Sequence, residues 1–387
     1  MKIVHLCLCG VYTENLNYQE NVLTKYHKKM GNEVTIITSQ WMQNPDGSKS
    51  KDNNIEYFND NGVKVLRIPI KKGTIDTKLK VYPTLIEKID TEKPEILFIH
   101  GPQFLDLLKI SKYLRKRKIK VYVDNHADFY NSGKNWISRN ILHKIIWKFC
   151  AKSVESYVEK FYGVLPARVD FLHEIYNIKK NLCELLVMGA DDDFVEGALK
   201  ANNIINTRIK YNIKNDDFLI VTGGKINSNR PETISLMRAI KQLENQKVKL
   251  IVFGSVSKEL KKEFDSLIET NNIIFAGWQD VKGTYNIMGC ADLIIFPGLH
   301  SVMWEQAVAL GVPCIFRKIH GFNHIDLNGN CILLEDVSIS NLLKNIEYIL
   351  ENKEEYRKMK NVAQSGRKYF SYKYISMRSI ESRQEKL

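Results

Sequence analysis

Short apolar, β-branched runs alternate with longer stretches of helical length along most of the chain. In the first half, the short runs predict strands at Lys2–Cys9, Glu33–Ser39, Lys64–Ile70, Glu95–His100, Lys120–Asp124 and Cys183–Met188. The longer stretches between them predict helices such as Asn17–Met30, Gln103–Arg117 and Ser138–Lys160. Strands separated by helices indicate parallel βαβ units with right-handed crossovers.

The same alternation begins again in the second half of the chain. It predicts strands at Phe218–Thr222, Lys249–Phe253, Asn272–Ala276, Asp292–Phe296, Pro313–Arg317 and Cys331–Leu334. Two such series indicate an α/β protein with two doubly wound, Rossmann-like domains, rather than one sheet of about a dozen strands. We place the domains at residues 1–195 and 196–369, with the joint in the weakly apolar segment 189–217.

The C-terminal segment 370–387 is predicted to be a helix that packs back on the N-terminal domain. The second domain's pattern is complete by Leu334, and its covering helices end near Arg367. The following residues still carry more apolar surface than water favours. Packing on its own domain is the alternative.

Composition excludes several classes of protein. The 387 residues are 44% hydrophobic and 26% charged, as is usual for globular proteins. No apolar run reaches the roughly 18 residues of a spanning helix. The N-terminus lacks the features of a secretory signal, and the seven cysteines contain no C-x-x-C pair. These features predict a cytoplasmic protein with free thiols.

The net charge of +13 allows several anionic partners. Nucleic acid, an anionic membrane and phosphate-bearing small molecules all suit a basic surface. No basic groove with interleaved aromatic residues is visible, so we expect no nucleic acid partner. The segment Trp136–Cys150 combines apolar and basic residues. This composition suits core packing, which is the more common case, or a helix at the inner face of an anionic membrane.

Ligands of open α/β sheets bind beyond the carboxyl ends of the strands, so residues just after strands are the candidates. After Phe296, Ser301 is predicted to cap a helix that ends at Gly311. A helix N-terminus suits a phosphate, and Glu305, one turn later, suits a ribose diol. A surface helix with an incidental glutamate is the alternative.

Two further clusters follow strands. Gly223 and Gly224 would let the backbone approach a ligand, and Lys225 and Arg230 supply positive charge, as in a diphosphate clamp. The spacing is neither a Walker A loop nor G-x-G-x-x-G, and a solvated basic loop is the alternative. In the first domain, His126 stands among carboxylates that follow the strand ending at Asp124.

The cluster around His126 has several interpretations. His126 suits a base, a hydrogen-bonding group or, with Asp124 and Asp128, a metal site. We favour polar substrate contact over a metal, and a helix start capped by Asp128 is the alternative. The loop Gly10–Asn21 is longer than an ordinary βα turn, so it is a candidate to line the cleft between the domains. A well-capped start of the next helix is the alternative.

Taken together, these motifs resemble the GT-B-fold glycosyltransferases, specifically the retaining family 4 group that builds bacterial surface glycans. The resemblance spans nearly the whole chain and depends on the order of the motifs after successive strands. Its carriers are Y-Q-E-N at Tyr18–Asn21, D-N-H-A-D at Asp124–Asp128, G-G-K at Gly223–Lys225, F-G-S at Phe253–Ser255, A-D-L-I-I-F-P-G at Ala291–Gly298 and H-S-V-x-W-E-Q-A at His300–Ala307.

The resemblance implies transfer of a sugar, with retention, from a UDP- or GDP-sugar to a hydroxyl of a glycan, a lipid-linked or a protein acceptor. It implies a site in the cleft, no metal and no cofactor. The residues that it assigns to the catalytic centre are His126, Lys225 and Arg230. The donor side comprises Gly223, Gly224, Lys225, Arg230, His300, Ser301, Val302 and Glu305. The acceptor side comprises Tyr18, Gln19, Glu20, Asp124 and Asp128.

The chain departs from the family pattern at one position. Glu305 resembles the second glutamate of the E-x7-E motif, but Pro297 stands where the first would be, with His300 and Ser301 in a shortened loop. Either His300 substitutes in sugar binding or the donor contact is altered. A non-catalytic GT-B-like partner subunit and a sugar-nucleotide epimerase are therefore kept as alternatives.

Overall fold

The computed structural model describes residues 1–14, 16–44, 48–73, 79–132, 135–270 and 272–381. It divides into two compact units. The N-terminal unit comprises Met1–Val187 together with the residues from Ile375 on, and the C-terminal unit comprises Met188–Tyr374. The division after Val187 falls eight residues before the boundary that we placed at residue 195. The division after Tyr374 falls inside the last helix, Tyr372–Ser379.

The N-terminal unit is built on an eight-stranded sheet in the order β10-β9-β8-β7-β1-β2-β6-β5. Its strands and the short β3–β4 hairpin are β1 Lys2–Cys7, β2 Glu33–Ser39, β3 Trp41–Gln43, β4 Lys49–Lys51, β5 Glu56–Phe58, β6 Lys64–Ile68, β7 Ile96–His100, β8 Lys120–Asn125, β9 Val158–Gly163 and β10 Cys183–Leu185. Its helices are α1 Gln19–Lys29, α2 Leu85–Glu92, α3 Leu107–Leu114, α4 Lys148–Val154 and α5 Pro166–Glu174. The sheet is parallel except for β5, which is antiparallel to β6.

The predicted helix Ser138–Lys160 is wrong at its C-terminal end. A π-helical segment, Ser138–Trp147, leads into α4, and the chain then turns into β9. Charged Glu159 and Lys160 hid this strand from the sequence pattern. It forms because β8 and β10 pair with it on both sides.

The C-terminal unit contains a six-stranded, fully parallel sheet in the order β13-β12-β11-β14-β15-β16. Its strands are β11 Phe218–Ile226, β12 Val248–Val256, β13 Ile273–Gly277, β14 Leu293–Phe296, β15 Cys314–Arg317 and β16 Cys331–Leu334. The helices are α6 Asp192–Ala198, α7 Ala201–Lys210, α8 Glu232–Gln242, α9 Lys258–Ile268, α10 Val281–Gly289, α11 Met303–Leu310, α12 Ile339–Glu351 and α13 Lys353–Gly366, followed by α14 Tyr372–Ser379.

Each sheet has its own core because its central strands are apolar on both faces, as expected when helices cover a parallel sheet. Val4, Leu6 and Ile99 are fully buried in the first sheet, and Ile220 and Leu250 in the second. Burying a side chain of this size stabilises the fold by about 1.5–3 kcal/mol. These rigid sheets hold the loops at their carboxyl ends in place.

The end of α14 packs within the N-terminal unit. The Tyr122 hydroxyl donates to the carbonyl of Ile380 at 2.9 Å, and the Tyr162 hydroxyl donates to the carbonyl of Arg378 at 3.1 Å. Arg378 also pairs with Glu184 at 2.8 Å. The remainder of the predicted C-terminal helix, residues 382–387, lies outside the described residues.

Among the helices in the described ranges, none is both long and apolar enough to span a membrane.

Candidate active site

Three glycines bring the backbones of β11 and β12 unusually close at the carboxyl end of the second sheet. Gly224 and Gly254 are opposite each other and have φ angles of +126° and +121°. A Cβ at Gly254 would lie 2.0 Å from the carbonyl oxygen of Gly224, and one at Gly223 would lie 2.5 Å from the Phe253 ring. Only glycine fits this backbone, which therefore has no side chain between it and a ligand.

Two cations stand beside these glycines. Lys225 is exposed and Arg230 is half-buried, and neither side chain has an ion pair or hydrogen bond within the described ranges. A tight turn joins them, in which the Arg230 amide donates to the Asn227 carbonyl at 2.8 Å. Unpaired cations close to open backbone suit a phosphate or diphosphate.

The helix after β14 begins later than the sequence predicted. Its N-cap is Val302 and makes no side-chain hydrogen bond, so Ser301 is not the capping residue. Ser301 instead accepts a hydrogen bond at its carbonyl from the Trp304 amide, at 3.0 Å. The predicted C-terminus is confirmed, because Gly311 ends α11 in a left-handed conformation with φ of +72°.

Glu305 lies at the centre of a buried cluster. Its Oε1 accepts hydrogen bonds from the Nε2 atoms of both His300 and His324, each at 2.8 Å. The side chain has no exposed surface. Burial by itself raises the pKa of the Glu305 carboxyl, but the charges and hydrogen bonds of the two histidines outweigh it and hold the pKa far below its usual range.

One oxygen of this carboxylate remains free for a further donor. Among the described residues, Oε2 of Glu305 has no hydrogen-bond partner, nor does Nδ1 of His324. A buried unpaired carboxylate oxygen is costly, so a ligand hydroxyl or water is expected there. Sequence reasoning missed His324, although it lies in the polar loop after β15, the same kind of position as the other candidates.

In the N-terminal unit, Asp124 lies between two histidines at the carboxyl end of β8. His100 Nδ1 lies 2.7 Å from Oδ2 of Asp124, and His126 Nε2 lies 3.5 Å from Oδ1. Asp124 is fully buried, whereas 38% of the His126 side chain is exposed. Burial alone raises the pKa of Asp124, but His100 and His126 outweigh it and lower that pKa strongly. His126 is thus the accessible member of the cluster.

Asp128 has a structural role. Its Oδ1 accepts hydrogen bonds from the amides of Tyr130 and Asn131, at 2.8 and 2.7 Å, and its Oδ2 accepts from Arg168 Nε at 3.0 Å. Both oxygens are therefore used in holding a turn and anchoring α5. The alternative interpretation expected a helix that starts at Asp128, but the turn does not continue into one.

The start of α1 presents three different environments. Tyr18 is exposed and lies at the N-cap without a side-chain hydrogen bond. Gln19 is buried, and in the described part of the chain neither atom of its amide has a partner. Glu20 is half-buried and its charge acts on His100. Gln19 is the one whose unpaired polar atoms point to a missing hydrogen-bond partner.

Two groups in the described ranges have metal-like spacing: His100, Asp124 and His126, and His300, Glu305 and His324. In each group the potential ligand atoms lie within 4.8 Å of one another. However, two ligands of one zinc ion, each about 2.0–2.2 Å from it, lie about 3.3 Å apart in a tetrahedral site. The observed contacts of 2.7 and 2.8 Å are those of hydrogen bonds.

The more common interpretation expected the helical segment around Trp136–Phe149 to pack into the core. Only one of its sides does so. Its buried side contains Ser138, His143 and Trp147. The other side exposes a row of apolar side chains, and we call this row the apolar face: Trp136, Ile137, Ile141, Ile145 and Phe149. Exposed basic Arg139 and Lys144 lie in the same segment.

The two Rossmann-like sheets of this chain match the architecture of GT-B glycosyltransferase structures. Residues 203–366 match the sequence model of the family described as glycosyl transferases group 1. This match covers most of the C-terminal unit, and it is to the group that the sequence motifs resemble, the retaining GT-B glycosyltransferases of group 1. The resemblance and the fold class expected from the sequence are thus confirmed.

Solved structures of the same fold cover nearly the whole chain. A glycosyltransferase from Rickettsia africae ESF-5 is 15% identical with a TM-score of 0.69, covering 98% of this chain and 96% of that one. Anabaena Alr3699/HepE in complex with UDP-glucose is 13% identical, with a TM-score of 0.64 and 98% of each chain covered. UDP-GlcNAc 2-epimerase from Neisseria meningitidis, bound to UDP-GlcNAc, is 13% identical, with a TM-score of 0.62, covering 97% of this chain and 98% of that one.

At these identities the likeness to solved structures establishes the fold alone. A comparison with curated proteins finds no significant match.

Proposed function

We propose that this protein transfers a sugar from a UDP- or GDP-sugar to a hydroxyl of a glycan, a lipid-linked or a protein acceptor, with retention of configuration. The observation that carries the proposal is the pair of unpaired cations, Lys225 and Arg230, beside the side-chain-free backbone of Gly223 and Gly224. Structures of Anabaena Alr3699/HepE with UDP and with UDP-glucose make a UDP-sugar the first donor to test.

On the donor side, Lys225 and Arg230 stabilise the negative charge that develops on the departing diphosphate. This stabilisation needs no metal ion, because fixed cations and open backbone amides supply the positive charge. The start of α11, with Ser301 and Val302, borders the same edge of the sheet. Oε2 of Glu305 accepts a hydrogen bond from a ribose hydroxyl, which requires the short loop at His300 to move, because Glu305 has no exposed surface.

His300 has a second part in the proposal. Its Nε2 is used by Glu305, so Nδ1 is the ring nitrogen left for the donor sugar. This contact replaces the one that the family's first glutamate makes, where this chain has Pro297.

On the acceptor side, His126 contacts the reacting sugar, and Asp124 holds its ring. Tyr18, Gln19 and Glu20 at the start of α1 contact the acceptor, with Gln19 offering an unpaired amide. The new bond forms between the acceptor oxygen and the sugar C1 as the bond from C1 to the phosphate oxygen breaks. The acceptor oxygen attacks the face of C1 from which the phosphate departs, so the configuration is retained, and the acceptor proton passes to the departing phosphate oxygen.

The first experiment measures binding of UDP-, GDP- and ADP-sugars by thermal shift, because a ligand that binds only the native state raises the melting temperature. We expect one nucleotide class to stabilise the wild type, and Lys225→Ala and Arg230→Ala to lose most of that shift. Lys241→Ala, at the far exposed end of α8, is the matched control and should keep it. Equal shifts in all variants would contradict the assignment of the clamp.

The second experiment separates the transferase from its alternatives. A transferase releases the nucleotide fastest when an acceptor is present and gives a glycosylated product. An epimerase converts or releases the sugar without any acceptor, and a partner subunit binds the nucleotide without turnover. Nucleotide release that does not depend on any of a panel of glycan, lipid-linked and peptide acceptors would reject the transferase.

A second proposal concerns location, and the exposure of the apolar face supports it. Trp136, Ile145 and Phe149 are 70%, 61% and 65% exposed, next to basic side chains. Such a combination suits the interface of an anionic membrane. We infer that the protein binds the inner face of the cytoplasmic membrane peripherally through this face.

Vesicle co-flotation tests this inference. Vesicles that contain phosphatidylglycerol should bind the wild type, and binding should weaken as salt rises. The double variant Trp136→Ser, Phe149→Ser should lose binding by at least about tenfold, since each buried side chain contributes about 1.5–3 kcal/mol. Trp278→Ser removes a tryptophan that is 75% exposed elsewhere and should bind normally. Equal loss in this control would contradict the role of the face.

A further inference from the structure

A chain of three buried histidines leads away from Asp124 into the N-terminal unit. His100 Nε2 contacts His5 Nδ1 at 3.0 Å, and His5 Nε2 contacts His27 Nδ1 at 3.0 Å. At the near end, His100 Nδ1 contacts Asp124 at 2.7 Å. At the far end, His27 reaches α14. His5 and His27 have no exposed surface, and the sequence analysis predicted no role for either.

The far end of the chain determines the direction of its hydrogen bonds. His27 Nε2 faces the carbonyl oxygen of Ser376 at 3.2 Å and the hydroxyl oxygen of Ser379 at 2.9 Å. The Ser379 hydroxyl donates its proton to the same carbonyl at 2.8 Å, so it accepts from His27. A carbonyl oxygen only accepts. His27 Nε2 must therefore carry a proton.

The remaining protons follow in sequence, because a neutral imidazole has one donor and one acceptor nitrogen. Neutral His27 accepts at Nδ1, so His5 Nε2 donates. Neutral His5 accepts at Nδ1, so His100 Nε2 donates. The other nitrogen of His100, Nδ1, faces the Asp124 carboxylate at 2.7 Å and also shares a proton with it. The pair of His100 and Asp124 thus holds one proton more than a neutral imidazole and a carboxylate would.

The electrostatics agree with this assignment. Burial lowers the pKa of His5 well below its ordinary value and that of His27 to about 4, which keeps both neutral. Burial also opposes the charge on His100, but Asp124, with a smaller effect from Glu20 on α1, outweighs it and raises the pKa of His100. Cys7 on β1 stays a thiol, because burial raises its pKa.

We propose that the chain His27–His5–His100 holds His100 as an imidazolium, and that the resulting ion pair with Asp124 positions His126. The positioning part rests on the proposed function. Oδ2 of Asp124 is bound to His100. The buried Oδ1 has no hydrogen-bond partner within the described ranges and faces His126 Nε2 at 3.5 Å, so its charge orients the ring and leaves Nδ1 for a ligand. His5, His27 and His100 are positioning residues, because they act through Asp124.

Nitrogen NMR of the full chain labelled with 15N-histidine tests the protonation directly, without any activity assay. Spectra are taken in EDTA at about one pH unit above the ordinary histidine pKa of about 6.5. We expect His100 to show two protonated nitrogens, and His5 and His27 to show a proton on Nε2 only. Single His→Gln variants assign the signals. A bare nitrogen on His100 at that pH would overturn the proposal.

The positioning role is tested with His100→Gln, which removes the charge but keeps a polar side chain. Misplacing a reacting group by about 1 Å costs about 10²-fold. We therefore expect kcat to fall about 10- to 100-fold with the KM for the donor little changed, and the pH profile of kcat to change. Ser379→Ala, which removes only one acceptor at the far end, should lower kcat less.

His143→Gln is the matched control. His143 is also buried in the N-terminal unit and binds the Tyr176 hydroxyl at 2.7 Å, outside the chain of histidines. It should leave the pH profile of kcat unchanged. If both variants lower kcat equally with unchanged pH profiles, the chain is only structural and the positioning role is rejected. If the wild type transfers no sugar while the NMR result holds, the proposed function fails and the proton assignment stands.

Discussion

At the scale of single residues, His126 is expected to affect sugar transfer more than donor binding, because it lies in the N-terminal unit and the cations lie in the other. We predict that His126→Ala lowers kcat by about 10²-fold or more. Affinity for the nucleotide, measured by calorimetry, should change less than about threefold, well under the tenfold that 1.4 kcal/mol represents. His320→Ala, which removes an exposed histidine of the C-terminal unit, is the control. Near-normal turnover would make His126 a structural residue.

Glu305 requires a different substitution from the simple removal of its side chain. Alanine would leave the donor groups of His300 and His324 unpaired in the interior, so lost folding would be confused with lost binding. Glu305→Gln keeps the shape and removes the charge. We predict nucleotide affinity about 10- to 100-fold weaker, since a hydrogen bond to a charged group contributes about 1.5–3 kcal/mol. Unchanged affinity, by the same calorimetry, would remove Glu305 from the donor site.

At the scale of elements, the close approach of β11 and β12 depends on glycine. We predict that Gly254→Ala lowers the free energy of unfolding by about 1–3 kcal/mol, the usual cost of a strained backbone, and weakens nucleotide binding. The reasons are its φ of +121° and the 2.0 Å contact that a Cβ would make with Gly224. Gly197→Ala has open space around it and an ordinary φ, so urea unfolding should be nearly unchanged.

The histidine chain joins β1, β7 and α1, and it predicts how stability depends on pH. Folding lowers the pKa of His27 from 6.5 to about 4, and that of His5 in the same direction. Between these values the unfolded chain binds more protons than the folded one, so stability falls as the pH falls. Each histidine changes the free energy of unfolding by up to about 1.4 kcal/mol per pH unit in this range.

This prediction can be isolated with one variant. The pKa of His100 is raised, so its stabilisation is complete at low pH and is lost only above the ordinary histidine value. The pKa of Asp124 is lowered from 3.8, so the stability that its charge contributes is lost only at a pH below 3.8. Urea midpoints of His27→Gln should therefore fall less between about pH 6.5 and pH 4.5 than those of wild type. An equal fall of the urea midpoint in His27→Gln and in the wild type would contradict this prediction. The control His320→Gln should follow the wild type.

At the scale of the whole molecule, the charge that a metal would supply is proposed to come from the protein itself. We predict that transfer survives EDTA, because Lys225 and Arg230 lack partners in the described part of the chain and neutralise the diphosphate. The measurement is initial rates before and after chelation. Activity that is lost with EDTA and restored by Mg²⁺ or Mn²⁺ would overturn the metal-free mechanism.

Local patterns in the sequence determined the two series of strands and the position of each cluster after a strand. These features could be predicted because most of the buried parallel strands are continuous apolar runs, with β9 as the exception. Strands Glu33–Ser39 and Cys331–Leu334 were predicted to the residue, and the C-terminus of α11 was signalled by Gly311. The motifs that carry the family resemblance are equally local.

Tertiary structure alone decided what those residues contact. His5 and His100 are 95 residues apart and His27 and Ser379 are 352 apart, so no local pattern brings them together. The burial of Glu305 by His324 and the pairing of β9 between two strands also come from distant neighbours. The apolar face had a helical pattern that fits a core or an interface equally well. Which side of this helical segment faces solvent depends on the elements that pack against it. Hydrophobic attraction is non-directional, so the apolar pattern alone does not specify the partner.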